Sequence, residues 1–218
     1  MGRLVEQYAV AHGLTVAGIV TEETGTDLLQ SGDLRDIDAV IDFSVGQAVK
    51  ANLALVADRG WNVVIGTTGW QADEPECRAI VEHTGIGVIA SANFSIGMNV
   101  FRRTAEDAAR RFATMPDVGA WIHELHHNKK KDAPSGTALM LQSAMEGAGY
   151  SRTIDMSSTR AGSIPGTHTI GFDAATETVT LTHTVRDRAV FAHGALEAAR
   201  WITGRRGWFT MDDMINDW

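Results

Sequence analysis

The sequence predicts an α/β fold in which a doubly wound, Rossmann-type domain carries an inserted α+β domain. Short, nearly continuous apolar runs recur through the first half of the chain, and segments with helical spacing separate them. Strands buried on both faces of a parallel sheet have this continuous apolar character, and alternation with helices is the pattern of doubly wound folds. The alternation stops near residue 95 and a last long helix follows near residue 190, which predicts the insertion.

The first half of the chain predicts four strands and three helices. The apolar, β-branched runs that predict strands are residues 14–20, 39–43, 62–65 and 86–90. The stretches with helical spacing are residues 4–11, 46–58 and 73–82. We therefore expect the Rossmann-type domain to comprise residues 1–94 and 190–218.

The second half predicts a mixed arrangement over residues 95–189. Helices are expected at residues 98–112, 137–146 and 191–204, and Ser135 and Thr210 are candidate N-caps. Residues 167–172 and 177–185 alternate polar and apolar side chains and predict a hairpin. Residues 118–126 fit a helical stripe as well as a strand, although their short length between Pro116 and Lys129 favours a strand.

Composition excludes several classes of protein. The 218 residues carry a formal net charge of −8, whereas a nucleic-acid-binding domain is usually strongly basic. No apolar run approaches the roughly 18 residues of a membrane span, and the N-terminus lacks a signal-peptide pattern. The single cysteine, Cys77, allows no disulfide within the chain. These features predict a cytoplasmic protein that binds neither nucleic acid nor a membrane.

The densest chemistry lies in "HELHHNKKKDAPSGTA", residues 123–138. Its first five letters match H-E-x-x-H, in which a helix brings two histidines over one zinc ion. Glu146 could supply a third ligand, so a zinc-dependent hydrolase through His123, His127 and Glu146 is one interpretation. On a strand, residues four apart lie about 13 Å from each other and could not share an ion.

The strand interpretation favours a site for a small anion instead. Glu124 and His126 would then share one face of the strand. The lysine-rich loop that follows leads to a helix N-terminus at Gly136 and Thr137, where free N–H groups attract carboxylates. Histidine, lysine and a helix N-terminus at one place suit a small anionic substrate.

Residues 124–138, "ELHHNKKKDAPSGTA", closely resemble the signature of the dihydrodipicolinate reductase family. Further stretches agree in order along the whole chain: "IDFS" at 41–44, "VIGTTG" at 64–69, "SANFSIGMN" at 91–99, "RAGSIPGTH" at 160–168 and "FAHGA" at 191–195. The resemblance implies a dinucleotide-binding domain with an inserted domain for substrate binding and oligomerisation. It also implies reduction of 4-hydroxy-tetrahydrodipicolinate by NADH or NADPH, in the diaminopimelate route to lysine. A non-catalytic ligand-binding relic of such an enzyme is a further alternative.

The resemblance also implies roles for individual residues. His126 matches the catalytic acid/base and Lys130 the catalytic lysine, while no metal is expected. Residues matching the substrate-binding positions are His127, Gly136 and Thr137. Residues matching the cofactor loops are Gly66, Thr67, Thr68, Ser91, Ala92, Asn93 and Phe94. The family is typically tetrameric, so we expect a homotetramer that binds a small dicarboxylate.

The N-terminus departs from the family pattern. Met1-Gly2-Arg3 matches only the end of the glycine-rich motif, and no strand precedes it in the sequence given. We expect this chain to be a shortened version of a longer enzyme and to bind dinucleotide poorly, unless the neighbours of that strand pair directly. Thr21 lies where an acid would bind the ribose hydroxyls, with Glu22 beside it, which favours NADH over NADPH.

Overall fold

The structure is a computed structural model that describes residues 1–30 and 34–218. These residues form two compact units. The first comprises Met1–Ile96 and Ala189–Trp218, and the second comprises Gly97–Arg188. Among the described residues, no helix is long and apolar enough to cross a membrane.

The first unit is built on a parallel sheet. Its four strands are β1 (Ala39–Asp42), β2 (Asn62–Ile65), β3 (Gly87–Ala90) and β8 (Gly207–Phe209), and they lie side by side in that order. Its helices are α1 (Gly2–Ala9), α2 (Asp27–Gln30), α3 (Val49–Ala57), α4 (Glu74–Thr84), α7 (Ala189–Ile202) and α8 (Met211–Asn216). The predicted capping role of Thr210 is confirmed, because its side chain and that of Asp213 form a reciprocal capping box at α8.

Helices cover both faces of this sheet, as a doubly wound fold requires. Val63 and Ile65 of β2 pack with α3 and α4, and the intervening Val64 packs with α7. Successive strand residues point to opposite faces, so a continuous apolar run is needed to serve two helical layers. The predicted α/β class is confirmed.

The predicted strand at residues 14–20 is wrong. These residues form no strand, and Val16, Ile19 and Val20 are between 41% and 46% exposed. A strand needs hydrogen-bonding partners alongside it, and no described strand pairs with this segment. Residues 14–20 do not pair with β1 either, because β1 pairs with β2 alone among the described strands.

The second unit contains a mixed sheet with helices on one face. Its elements are α5 (Ile96–Ala113, beginning at the last residue of the first unit), β4 (Gly119–His126), α6 (Gly136–Gly147), β5 (Ile154–Arg160), β6 (Thr167–Asp173) and β7 (Thr178–Thr184). The strand order is β5-β4-β6-β7, with β4 and β5 parallel and the other pairs antiparallel. The core lies between this sheet and the two helices, α5 and α6. The predicted hairpin is β6–β7, whereas β5 was not predicted.

The close packing of α7 generates a test of the first unit. A Cβ at Gly194 would lie 1.7 Å from the backbone oxygen of Phe94. Although Gly→Ala normally stabilises a helix by about 1 kcal/mol, overpacking costs about 1–3 kcal/mol or more. We expect Gly194→Ala to lower the melting temperature by several degrees, measured by circular dichroism. Gly2→Ala in α1 is the control, because no atom lies within 4 Å of the added Cβ; equal melting temperatures for the two variants would contradict the packing argument.

Candidate active site

Strand β4 decides the interpretation of the H-E-x-x-H match. Its residues alternate between buried and half-buried, with Glu124 and His126 on the buried face. His123 lies on the other face, where its Nδ1 is 2.7 Å from Oγ of Ser157. The zinc-hydrolase interpretation through His123 and His127 is therefore wrong, because it requires a helix and this segment is a strand.

A buried carboxylate, Glu124, organises the site. It is fully buried, and its Oε1 accepts hydrogen bonds from Nη2 of Arg160 at 2.6 Å and from the backbone N–H of Ser135 at 3.1 Å. Burial alone would raise the pKa of Glu124, but hydrogen bonds from Arg160, Ser158 and Ser135 outweigh it and lower the pKa to about 2. Glu124 is therefore an anion at neutral pH.

Two histidines lie against this carboxylate. Nδ1 of His126 contacts Oε2 of Glu124, and the ring of His168 lies edge-on to that of His126 with centroids 5.1 Å apart. Burial lowers the pKa of His126 despite the opposing effect of Glu124, and burial lowers the pKa of His168 to about 4. Nε2 of His168 is 3.2 Å from Oγ of Ser135.

Glu124, His126 and His168 also have ligand atoms that lie within 4.8 Å of one another, which is close enough to share a metal ion. The guanidinium of Arg160 already neutralises Glu124 at 2.6 Å and would repel a second cation. The three side chains are better described as a buried polar cluster, held by Arg160 and Ser135, than as a ligand set.

The N-terminus of α6 completes the site. Ser135 is the N-cap, as predicted, because its Oγ accepts from the N–H of Ala138. Gly136 and Thr137 begin the helix. Nζ of Lys130 lies 2.8 Å from Oδ1 of Asp132, and this pairing, with a smaller contribution from the backbone N–H of Gly136, lowers the pKa of Asp132. One carboxylate thus meets the lysine and the helix N-terminus together.

The three consecutive lysines are not equivalent. The Lys130 side chain is 24% exposed and paired, whereas Lys129 and Lys131 are exposed. A turn produces this difference, since the N–H of Lys130 donates to the carbonyl of His127 at 3.1 Å. His127 itself is half-buried, and its Nδ1 is buried with no hydrogen-bond partner among the described residues.

The predicted cofactor loops lie together in the first unit. Gly66, Thr67 and Thr68 follow β2, and residues 91–94 follow β3, at the same edge of the parallel sheet. The N–H of Ser91 donates to the carbonyl of Ile65 at 3.1 Å. In open α/β sheets, ligands bind at this carboxyl edge.

These loops are shaped by close packing, and their composition fits a dinucleotide. Oγ1 of Thr67 donates to Oδ1 of Asp42 at 2.8 Å, and a Cβ at Gly66 would lie 2.1 Å from the ring of Phe43. Phe94 is buried, whereas Thr68 and Ala92 are exposed and leave loop backbone open at the sheet edge. Backbone groups at such an edge are what a nucleotide cofactor binds.

Sequence reasoning missed Arg160, His168 and Asp42 as functional residues. All three lie in the stretches that carry the family resemblance, "RAGSIPGTH" and "IDFS". Their roles depend on strand pairing, because Arg160 is opposite His126 in the β4–β5 register and His168 is opposite Glu124 in the β4–β6 register. Only a correct sheet register could have assigned them.

A doubly wound nucleotide-binding unit and a separate unit with a buried acid–histidine network define a dinucleotide-dependent oxidoreductase. The model of the dihydrodipicolinate reductase N-terminus matches residues 3–94, and that of the C-terminus matches residues 97–215. The chain belongs to the dihydrodipicolinate reductase family. The predicted family is confirmed, and the chain is an NAD(P)H-dependent oxidoreductase.

Individual relatives agree. The 4-hydroxy-tetrahydrodipicolinate reductase of Rhodopseudomonas palustris (strain TIE-1) is 35% identical, over 91% of this chain and 81% of the relative. That of Archaeoglobus fulgidus is 34% identical, over 99% of this chain and 95% of the relative. The fold is similar to a dipicolinate-bound dihydrodipicolinate reductase from Paenisporosarcina sp. TG-14, with a TM-score of 0.76, 22% identity, and coverage of 94% of this chain and 93% of the other.

The buried His168 predicts that the protein loses stability on acidification. Its pKa is about 4 in the folded state and 6.5 in its ordinary environment, so the unfolded chain binds the proton more readily between these values. Stability should therefore be complete above about pH 6.5 and should fall by about 3 kcal/mol towards pH 4. Urea unfolding across this range should show a shallower pH dependence for His168→Gln. His83→Gln, in the exposed part of α4, is the control and should keep the wild-type slope; an unchanged slope in His168→Gln would refute the assignment.

Proposed function

We propose that this chain reduces 4-hydroxy-tetrahydrodipicolinate to tetrahydrodipicolinate with NADH or NADPH, in the diaminopimelate route to lysine. The relatives carry the name of this activity, and a fold neighbour is described as dipicolinate-bound. The observation that carries the proposal for this chain is the pairing of Asp132 with Lys130 beside the N-terminus of α6. A lysine and a helix N-terminus that meet one carboxylate can bind a carboxylate of the substrate.

In this proposal, one unit binds the cofactor and the other binds the substrate. Residues 1–94 and 190–218 bind the dinucleotide through Gly66, Thr67, Thr68, Ser91, Ala92, Asn93 and Phe94. Residues 95–189 bind the dicarboxylate and form the contacts between subunits. The bound cofactor supplies the hydride, and the protein orients and polarises the reactants.

In this proposal, residues of the second unit bind the negative charge of the substrate and supply the proton for the reduction. Lys130, Gly136 and Thr137 hold a substrate carboxylate, and His127 contributes a further polar contact. Lys130 also provides a positive charge beside the electron-rich ring system that reduction produces. His126 donates the proton that, together with the hydride, completes the reduction, and the 4-hydroxyl group of the substrate leaves as water.

Residue 21 and its neighbours support NADH as the preferred cofactor. Thr21 and Thr24 form an exposed turn through mutual hydrogen bonds, and Glu22 and Glu23 are exposed beside it. Acidic side chains beside a bound ribose accept hydrogen bonds from its hydroxyls and repel a 2′-phosphate. We expect a lower KM for NADH than for NADPH in steady-state assays. The reverse order would contradict the assignment of this turn.

The second unit also supports a homotetramer. The helices α5 and α6 pack on one face of its sheet, while β7 is largely exposed, with Val179 at 38%. Hydroxyl pairs such as Thr169–Thr182 line this part of the sheet. We expect a tetramer by light scattering at micromolar concentration, and a monomer would refute the proposal.

A cytoplasmic location is the setting we propose. The single cysteine, Cys77, is buried and free, so nothing in the chain depends on an oxidising compartment. The proposed cofactors and substrate are also cytoplasmic metabolites of the implied route. Recovery of the enzyme in the particulate fraction after cell lysis would contradict this location.

The three lysines provide an internal test of the site. Lys130→Ala should lower kcat by about 10²-fold or more, because a charge aimed at the reacting group is lost while the core is untouched. Lys129→Ala is the matched control and should stay close to wild type, since that side chain is exposed. The measurement is the loss of reduced-cofactor absorbance in an assay coupled to the enzyme that makes the substrate. Equal losses in the two variants would show that the motif has been matched in the wrong register.

A further inference from the structure

The contact between Glu124 and His126 has a directional consequence. An imidazole has two nitrogens, and the hydrogen bond made by one of them decides which form the neutral ring adopts. Nδ1 of His126 lies against Oε2 of Glu124, and neither atom has a hydrogen-bond partner of regular geometry in the described chain. An ionised carboxylate presents only lone pairs, so a proton on Nδ1 makes this contact attractive, whereas a lone pair on Nδ1 would make it repulsive.

The other ring nitrogen of His126 is left free for chemistry. Nε2 makes no hydrogen bond within the described residues. It lies against Gly166, where an added Cβ would be only 3.2 Å from Nε2 and 3.3 Å from Cδ2. A side chain at position 166 would crowd this nitrogen, so the glycine keeps it accessible.

Glu124 is itself held from several directions. Its Oε1 accepts from Arg160 on β5 and from the backbone N–H of Ser135 at the start of α6. The carboxylate therefore cannot rotate without losing an ion pair and a helix-terminal hydrogen bond. Because Ser135 directly precedes Gly136, the same carboxylate also fixes the helix N-terminus that we assign to the substrate.

We propose that Glu124 is a positioning residue, which keeps a proton on Nδ1 of His126 in both the neutral and the protonated ring, so that Nε2 is the atom that takes up a proton from solvent and donates it to the substrate. This inference rests on the proposed role of His126 and adds to it a fixed reactive nitrogen. Glu124 touches neither substrate nor cofactor in this scheme and acts only through His126 and Ser135.

The charges around His126 determine how its titration should respond. Glu124 faces it from its own strand, Arg160 from β5, His168 from β6 and Lys130 from the following loop. Of these four groups, Glu124 alone raises the pKa of His126, and Arg160 and Lys130 lower it. Removing the carboxylate charge should therefore make His126 lose its proton at lower pH.

The test is Glu124→Gln in the full enzyme. We expect kcat to fall by about 10²-fold, within the range that a placed general acid supplies, while KM for the substrate changes by less than about threefold. We also expect the limb on which kcat falls with rising pH to move to lower pH. Glu197→Gln is the matched control, because Glu197 makes a similar 2.8 Å contact with Nδ1 of His12 in the first unit, away from the proposed chemistry.

A second variant guards the test against misfolding, since Glu124→Gln leaves the charge of the half-buried Arg160 unpaired. Glu124→Gln combined with Arg160→Met removes both charges. It should show the same loss of kcat with a smaller shift of the limb to lower pH, because Arg160 itself lowers the pKa of His126. Nitrogen-15 NMR of the His126 ring should report the Nδ1–H form in wild type and a mixture of both neutral forms in the double variant. A folded variant with wild-type kcat, pH limb and ring signals would overturn the inference.

The His126→Gln variant separates this inference from the proposed function. If His126→Gln leaves kcat unchanged, the role of His126 fails and the inference falls with it. If His126→Gln lowers kcat by about 10²-fold or more but Glu124→Gln does not, only the positioning role of Glu124 fails.

Discussion

The second unit depends on one buried anion. Glu124 has no exposed surface, and burying an unpaired carboxylate would cost several kcal/mol. Arg160, Ser135 and His126 each satisfy part of it. Removing any one of these partners would leave the charge or a lone pair of the Glu124 carboxylate buried without compensation. All three partners must therefore be in place in the folded protein. This requirement couples the β4–β5 register to the position of α6 around His126, the histidine that we propose as the proton donor.

A comparable constraint in the first unit is steric rather than electrostatic. Gly194 allows α7 to approach the backbone of Phe94, and Gly66 allows its loop to pack against Phe43. The Thr67–Asp42 hydrogen bond then ties the end of β1 to the loop after β2. A side chain at Gly194 or Gly66 would displace a loop. The absence of a side chain at both positions therefore determines the shape of the sheet edge.

The sequence predicted the helices and the buried strands well, because a continuous apolar run or a helical stripe is a local signal. The sequence-based prediction failed for segments whose structure depends on pairing with another strand. Residues 14–20 have the composition of a buried strand, yet no described strand pairs with them and they stay exposed. Strand β5 is the opposite case, a strand without the composition of one. Its sequence, "IDMSSTR", is mostly polar, and it forms a strand because it pairs with β4. The helix-or-strand ambiguity at 118–126 was of the same kind.

The site residues were matched one by one to the family motif, and the structure shows how the spacing of the motif gives neighbouring residues different environments. His126 is buried because it falls on the inner face of a strand, and Lys130 differs from its two neighbours because a turn begins at His127. This unit has five histidines, at positions 123, 126, 127, 168 and 183, and burial lowers the pKa of three of them, His126, His168 and His183. Among those three, only His126 contacts an ionised carboxylate. What distinguishes the histidine that we propose as the acid is therefore the anion beside it, and that anion lies two residues earlier on the same strand face.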